Sequence, residues 1–277
     1  MTISLRAAWA VLAPVPPLDR AAIGMVFAVT LLAILAPYLS LADPVLKVAV
    51  PYQLPSLHHL LGTDDIGRDM LSRIIYGVRL TWIPSLVVIV IGVFVGSAVG
   101  ALSALAGGVV DFLLSRLTEL FIVIPSTMIA LAAVTALGPG IWHTVAAMSV
   151  FWWPWYARIV RTELLAVANR PHAEAARLAG TRGARLLLRY LLPAAWPAIL
   201  VTATLDVANV ILVLSMFSFL GLGAPAPIPE LGAMTARTLS DFTTHWWIPI
   251  LPATAIFVLV MSANLAGDGL RSLMKSV

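Results

Sequence analysis

The chain has 277 residues, 61% hydrophobic and 11% charged, with a formal net charge of +4 and no cysteine. A soluble domain carries about 45–50% apolar and about 25% charged residues, so this composition excludes a water-soluble globule. The missing cysteines exclude a disulfide framework, a thiolate nucleophile and a cysteine metal site, and the positive balance suits membrane-edge arginines rather than nucleic acid.

Residues 1–20 read as an N-terminal tail with Arg6 and Arg20. Residues 21–42 carry no charge, and roughly 20 apolar residues suffice to cross the hydrocarbon core. This run exceeds the apolar core of about 7–15 residues in a signal peptide, and no small-x-small cleavage site clearly follows, so a retained membrane helix is expected.

Residues 43–80 read as an external loop containing HHLLGTDDIGRDMLSRIIYGVRLTW, His58 to Trp82. Thr63, Asp64 and Asp65 offer N-cap oxygens, and carboxylates there suit the helix dipole. Met70, Leu71, Ile74, Ile75 and Val78 fall on one helical face, with Arg68, Asp69 and Arg73 off it. The pattern predicts an amphipathic helix lying on the outer membrane surface. His58, His59, Asp64 and Asp65 lack a helical ligand spacing, which weighs against a metal site.

Five further membrane helices are expected, over 81–105, 113–137, 141–160, 194–220 and 248–267. Gly138-Pro139-Gly140 interrupts an uncharged stretch too long for one helix and predicts a hairpin. Gly92, Gly96 and Gly100, continued by Ala104 and Gly108, form a stripe of small residues suited to close helix approach. Trp152, Trp153, Trp155 and Tyr156, and Trp246 and Trp247, read as interfacial belts. With the N-terminus in the cytoplasm, Arg158, Arg161, Arg170, Arg177, Arg182, Arg185 and Arg189 fall inside. The positive-inside bias therefore puts both termini and the 171–193 loop in the cytoplasm.

That loop begins PHAEAARLAGTRGARLLLRYLLPAAWP, Pro171 to Pro197. Proline suits a first helical position, Glu174 suits the first turn, and Gly180 suits a C-terminal cap. Thr181 is expected to cap a second helix that carries Arg182, Arg185 and Arg189 on one face and stops at Pro193. Three readings compete. One is a basic loop on anionic headgroups. Another is a DNA-binding helix-turn-helix, for which about thirty residues between spans leave no supporting domain. The third is a docking elbow for a soluble protein. Asp206 sits midway along the fifth expected helix with Asn209 one turn on; at bilayer depth such a group is either satisfied within the bundle or lines a cavity. The only lysines, Lys47 and Lys275, lie in no G-x-x-x-x-G-K-[ST] sequence, so there is no phosphate-loop ATP site.

Glu174-Ala175-Ala176, then Gly180, then Leu192-Pro193 resemble the EAA motif of type I ABC importer permeases. Gly62, Thr63, Asp64, Gly67, Arg68, Asp69, Ser72, Arg73, Gly77 and Arg79 resemble the GTDxxGRDxxSRxxxGxR signature of C-type permeases of dipeptide, oligopeptide and nickel importers. Tyr156-Ala157-Arg158 with Val160-Arg161, Ser218 to Gly223, and Gly267-Asp268-Gly269-Leu270-Arg271 look like the same family, so the resemblance covers about residues 61–271. Two departures stand out. Tyr190-Leu191-Leu192-Pro193-Ala194 replaces a common His-Ile-Leu-Pro-Asn, and Leu231 precedes Gly232 where the family commonly has tryptophan.

The resemblance implies an all-α integral membrane protein with six transmembrane helices, a type I ABC importer transmembrane domain over 81–270, an EAA loop at 161–193 and a cytoplasmic tail at 271–277. It implies a second homologous permease, two cytoplasmic ATPases (or one dual ATPase) that receive the elbows, an extracytoplasmic solute-binding protein, and the bacterial inner membrane. Nucleic acid is no partner. The chain would be no enzyme and hold no cofactor, with ATP and Mg in partner subunits. Glu174, Ala175, Ala176, Gly180, Arg182, Arg185, Leu192 and Pro193 would couple to the ATPase. Asp64, Gly67, Arg68, Asp69 and Arg73 would form the external signature helix, and Asp206 and Asn209 are candidates for the translocation path. Short peptides are the implied cargo, with nickel or a metal chelate as the alternative. A secondary transporter or channel would instead show internal repeats and paired midplane charges, and neither is evident.

Overall fold

The computed structural model describes residues 17–275, and the expected tail residues 1–16 and 276–277 lie outside the described residues. The elements are α1 (Pro17–Leu39), α2 (Met70–Ala106), α3 (Gly108–Val123), α4 (Ser126–Leu137), α5 (Ile141–Ala168), α6 (Pro171–Leu178), α7 (Gly183–Leu186), α8 (Leu192–Phe219), α9 (Leu231–Arg237) and α10 (Trp247–Lys275). A π-helical turn, Leu187–Leu191, joins α7 to α8, and a 3-10 turn, Leu239–Thr243, follows α9. Among the described residues the only extended pairing is an isolated bridge between Thr63 and Asp69.

Four helical stretches are long and apolar enough to cross a membrane: Asp19–Leu39, Met70–Ala106, Gly183–Phe219 and Trp247–Met274. The pair α3 and α4 makes a fifth if counted as one span; it is bent by 79°. The break between Val123 and Ser126 corrects the expectation of one third helix over 113–137. Its cause is Pro125, which has no N–H to continue the ladder. α5 is 28 residues long but does not reach the same apolarity, because His143, Pro154, Arg158 and four tryptophans dilute it.

The external amphipathic helix is corrected as well. It is not a separate element: its apolar turns are the start of the 37-residue α2 and run into the span without a break. At 1.5 Å per residue α2 reaches about 55 Å, well beyond a hydrocarbon core of about 30 Å.

The chain divides into two compact units. One comprises Met1–Leu86, Val134–Val145 and Thr204–Val277; the other comprises Val87–Ala133 and Ala146–Ala203. In the first unit α1 packs along α10, and Ser272 Oγ donates to Asp19 Oδ2 at 2.5 Å. Pro37 cannot donate to the Ala33 carbonyl four residues back, which would leave that oxygen an orphan. Arg79 fills the gap, donating from Nη1 to Ala33 O at 3.3 Å and to Ile34 O at 3.0 Å. Met70, Met234, Trp247 and Ile248 form a small buried core. Trp247 is therefore a core residue and only its neighbour Trp246 is exposed, so half of that expected belt is corrected.

In the second unit the glycine stripe works as expected over two turns. A Cβ on Gly96 would lie 2.5 Å from Trp153 O and from Tyr156 Cβ, and one on Gly100 would lie 2.5 Å from Ala157 O. α2 and α5 are thus in backbone contact, which only glycine permits. Tyr156 is fully buried against this stripe rather than part of a belt; Trp155 keeps an exposed position. Gly108 is no part of the stripe, because α2 ends at Ala106 and Gly107 and Gly108 turn the chain with positive φ.

Candidate functional site

The elbow is built by its own sequence. Arg170 is the extended N-cap of α6, Pro171 opens it, and Glu174 stands in its first turn. The far end is closed by two bonds, Gly180 N–H to Arg177 O and Thr181 N–H to Ala176 O, both 3.0 Å. This 5→2 and 6→1 pair is a Schellman closure. It requires Gly180 at φ 84, a left-handed conformation that costs an L-residue roughly 1–2 kcal/mol.

Burial sorts the faces of α6. Ala173 and Ala176 are buried in a cluster with Val160, Leu164, Val167 and Leu186. Glu174 and Ala175 are exposed, and Leu178 is 84% exposed. Ala176 is thus the elbow's anchor to its own unit, and the outward surface belongs to Glu174, Ala175 and Leu178. Arg182 and Arg185 are exposed beyond Gly180, and Arg177 Nη1 donates to Ala168 O at 2.8 Å, tying α6 back to α5.

Two elbow expectations are corrected. Thr181 does not cap the second helix: Arg182 occupies that position without a side-chain bond. Nor does Pro193 stop it. The chain passes through the π turn, where Leu192 N–H bonds Leu187 O, and continues as α8 with Pro193 at its second residue. A π turn widens the ladder by one residue, which accommodates the missing proline N–H. The second helix of the elbow, α7, is therefore helically continuous with a span.

The external signature forms a buried ion-paired knot. Asp64 Oδ2 accepts from Arg68 Nε at 2.6 Å and lies 3.3 Å from Arg73 Nε. Arg73 also donates from Nη1 to Pro44 O at 2.7 Å. Arg68 and Arg73 are buried, not on an exposed polar face as expected from the helical pattern. The helix cap is also corrected. Asp69, not Thr63, Asp64 or Asp65, precedes α2, and its Oδ2 accepts from Ser72 N–H at 2.9 Å. Asp69 Oδ1 lies 2.9 Å from His59 Nδ1. Gly67, at φ 91, runs so close to Ala49 O that no side chain fits.

Asp206 is 8% exposed on α8, and Asn209 Nδ2 donates to its Oδ1 at 3.1 Å. Asn209 itself is exposed.

Two polar sites were missed by the sequence reading. Asp111 receives Arg161 Nε at 2.6 Å and Nη2 at 2.7 Å, a bidentate pair, with Ser103 and Ser115 hydroxyls donating to the same carboxylate. The available signal was a lone acid just after the Gly107-Gly108 turn. Glu230 is fully buried and caps α9, accepting from Gly232 and Ala233 N–H at 3.3 Å. Burial holds its carboxyl above the ordinary glutamate range, against the Ser218 hydroxyl, those two amides and Arg237, which favour the charge.

Among the described residues the chain is all-helical, with long apolar spans and a small capped elbow that leads from α5 into one of them, α8. The fold is similar to that of the methionine ABC transporter MetNI in an inward-facing conformation, with a TM-score of 0.62 at 20% identity over 74% of this chain and 97% of that one. In sequence, the chain is 35% identical to the dipeptide transport system permease protein DppC of Haemophilus influenzae over 260 residues, covering 91% of this chain and 88% of the relative. It is 38% identical to the di/tripeptide transport system permease protein DppC of Pseudomonas aeruginosa, over 76% of this chain and 70% of the relative. The chain belongs to the family of binding-protein-dependent transport system inner membrane components, which it matches over residues 89–275. It is a permease subunit of an ABC importer.

Proposed function

We propose that this chain forms half of a translocation pathway for short peptides and that the 171–193 elbow transmits the motion of an ATPase to it. The observation that carries the reading is the division of α6 into a buried anchor, Ala173 and Ala176, and an exposed surface, Glu174, Ala175 and Leu178. A helix so short is marginal alone in water; here the Schellman closure, the buried anchor and the Arg177–Ala168 bond hold it in place, and α7 after it runs through the π turn into α8.

A second homologous permease completes the pathway, and a solute-binding protein delivers cargo on the other side. Both termini and the elbow face the cytoplasm, in line with the arginine distribution. ATP and Mg belong to the ATPase subunits, and this chain holds no cofactor of its own. The similarity to dipeptide and di/tripeptide transport permeases supports peptide cargo. Asp206 and Asn209 are proposed to present a polar point to the passing peptide, Asp206 to its cationic group.

Co-purification tests the coupling: Glu174→Arg, an exposed change, is expected to lower recovered ATPase at least roughly tenfold, about 1.4 kcal/mol. Full recovery and full coupling in that variant would refute the role of the elbow. For the pathway, Asp206→Asn is expected to lower uptake of labelled dipeptide while leaving assembly and basal ATP hydrolysis intact. Unchanged uptake would remove Asp206 from the path. Uptake of nickel but not of dipeptide would replace the cargo.

A further inference from the structure

A cavity of about 380 Å³ opens within the second unit between α2, α3 and α5, lined by Ser103, Ser115, Ile122, Ala157, Arg158 and Arg161 among others. Its volume falls within the roughly 300–1,000 Å³ of small-ligand sites and far exceeds the share of one water, about 30 Å³.

The charges around it do not cancel. Arg161 is held by Asp111, at 2.6 Å. Glu119, which also lines the cavity, is held by Arg116, at 2.5 Å. Arg158 is exposed, and among the described residues no carboxylate pairs with it. The hydroxyl protons are already committed. Ser115 Oγ donates to Asp111, Thr118 Oγ1 to Leu114 O and Thr162 Oγ1 to Arg158 O. The cavity therefore offers one free guanidinium, whose planar fork matches two oxygens of an oxyanion, beside the apolar walls of Val99, Ile122 and Ala157.

We infer that this cavity binds a phosphate-bearing anion, with Arg158 on the phosphate and the apolar wall against the group that carries it. The wall favours the headgroup of an anionic phospholipid over free phosphate. The cavity lies where α2 ends and α3 begins, and on the same helix, α5, that leads into the arginine-rich loop. The cytoplasmic leaflet presents anionic headgroups at such basic pockets. That placement rests on the proposed orientation of the elbow toward the cytoplasm.

The test is binding to the full chain in detergent, read by native mass spectrometry, with phosphatidylglycerol, phosphatidylcholine and inorganic phosphate as separate probes. Phosphatidylglycerol is expected to bind wild type roughly tenfold more tightly than Arg158→Gln, a difference of about 1.4 kcal/mol. Arg158→Lys retains part of the affinity, and Arg271→Gln, an equal loss of charge on α10, binds like wild type. An Arg158-dependent signal with inorganic phosphate but not with the lipid would keep the site and make free phosphate its ligand. Equal phosphatidylglycerol binding by wild type and Arg158→Gln, or equal affinity for phosphatidylcholine, overturns the proposal. An unfolded Arg158→Gln, seen as a lost thermal transition, leaves Arg158→Lys to decide: binding equal to wild type together with equal binding of phosphatidylcholine overturns it. In detergent neither orientation nor ATPase docking enters the reading, so failure here is distinct from failure of the coupling experiment.

Discussion

Gly96 and Gly180 show two different needs for glycine. Gly96 needs the space, since a methyl group there would meet Trp153 O and Ala157 N, backbone atoms that cannot swing aside. Gly96→Ala is expected to destabilise the protein by about 1–3 kcal/mol through overpacking. Gly24→Ala, with nothing within 4 Å, should be neutral or stabilising by up to about 1 kcal/mol. Thermal unfolding of both variants in the same detergent checks the pair, and equal midpoints would contradict the close contact of α2 and α5. Gly180 needs the conformation, and helix grammar alone identified it: proline first, acid in the first turn, glycine after the last. The cap of α2 was not legible in this way. Thr63, Asp64, Asp65 and Asp69 all offer suitable oxygens in sequence. Asp64 is taken by Arg68 and Arg73, which leaves Asp69 to cap. That choice depends on which buried cation each carboxylate meets, and the sequence does not display it.

Among elements, the long helices were legible because uncharged runs and breakers are local properties. Continuity was not. Whether an amphipathic stretch stops at a span or runs into it depends on whether its cap lies before or after it, and α2 has its cap before. Pro193 misled for a related reason: proline ends a helix only where the ladder has no slack, and the π turn at Leu187–Leu191 supplies slack. α9 gives a pH prediction of its own. Glu230 titrates above its ordinary value of 4.5 because burial disfavours its charge. The folded state therefore binds this proton more tightly than the unfolded state. Its contribution to stability is complete below the unfolded value and is lost as pH rises through the folded one. Melting of the wild-type chain should accordingly move to lower temperature as pH rises across that interval, and Glu230→Gln, neutral throughout, should flatten that dependence. A slope as steep in Glu230→Gln as in wild type would show that other groups set it.

For the whole molecule, composition alone excluded a soluble protein, and two sequence signatures pointed to the permease family to which the chain belongs. The two signatures differ in what their residues do: the external one builds, and the elbow both builds and presents. In the external one, Asp64, Arg68, Asp69 and Arg73 are all buried and hold a knot together. In the elbow, Ala176 builds while Glu174 and Ala175 are presented. Spacing in a sequence cannot separate these roles, because both are fixed at the same positions; burial separates them. Leu178, a large apolar residue that is 84% exposed, lies on the same helix as the presented residues and is not part of the motif.

The absence of cysteine makes the central claim directly measurable. A single cysteine placed at Leu178, which is 84% exposed, or at Ala176, which is 6% exposed, carries a short photoactivatable cross-linker in the assembled transporter. Leu178→Cys is expected to cross-link to the ATPase subunit with a yield that changes between nucleotide-free and ATP-bound states, and Ala176→Cys is expected to give little or none. Cross-links from Leu178→Cys to lipid alone, with no ATPase adduct in either state, would contradict the claim.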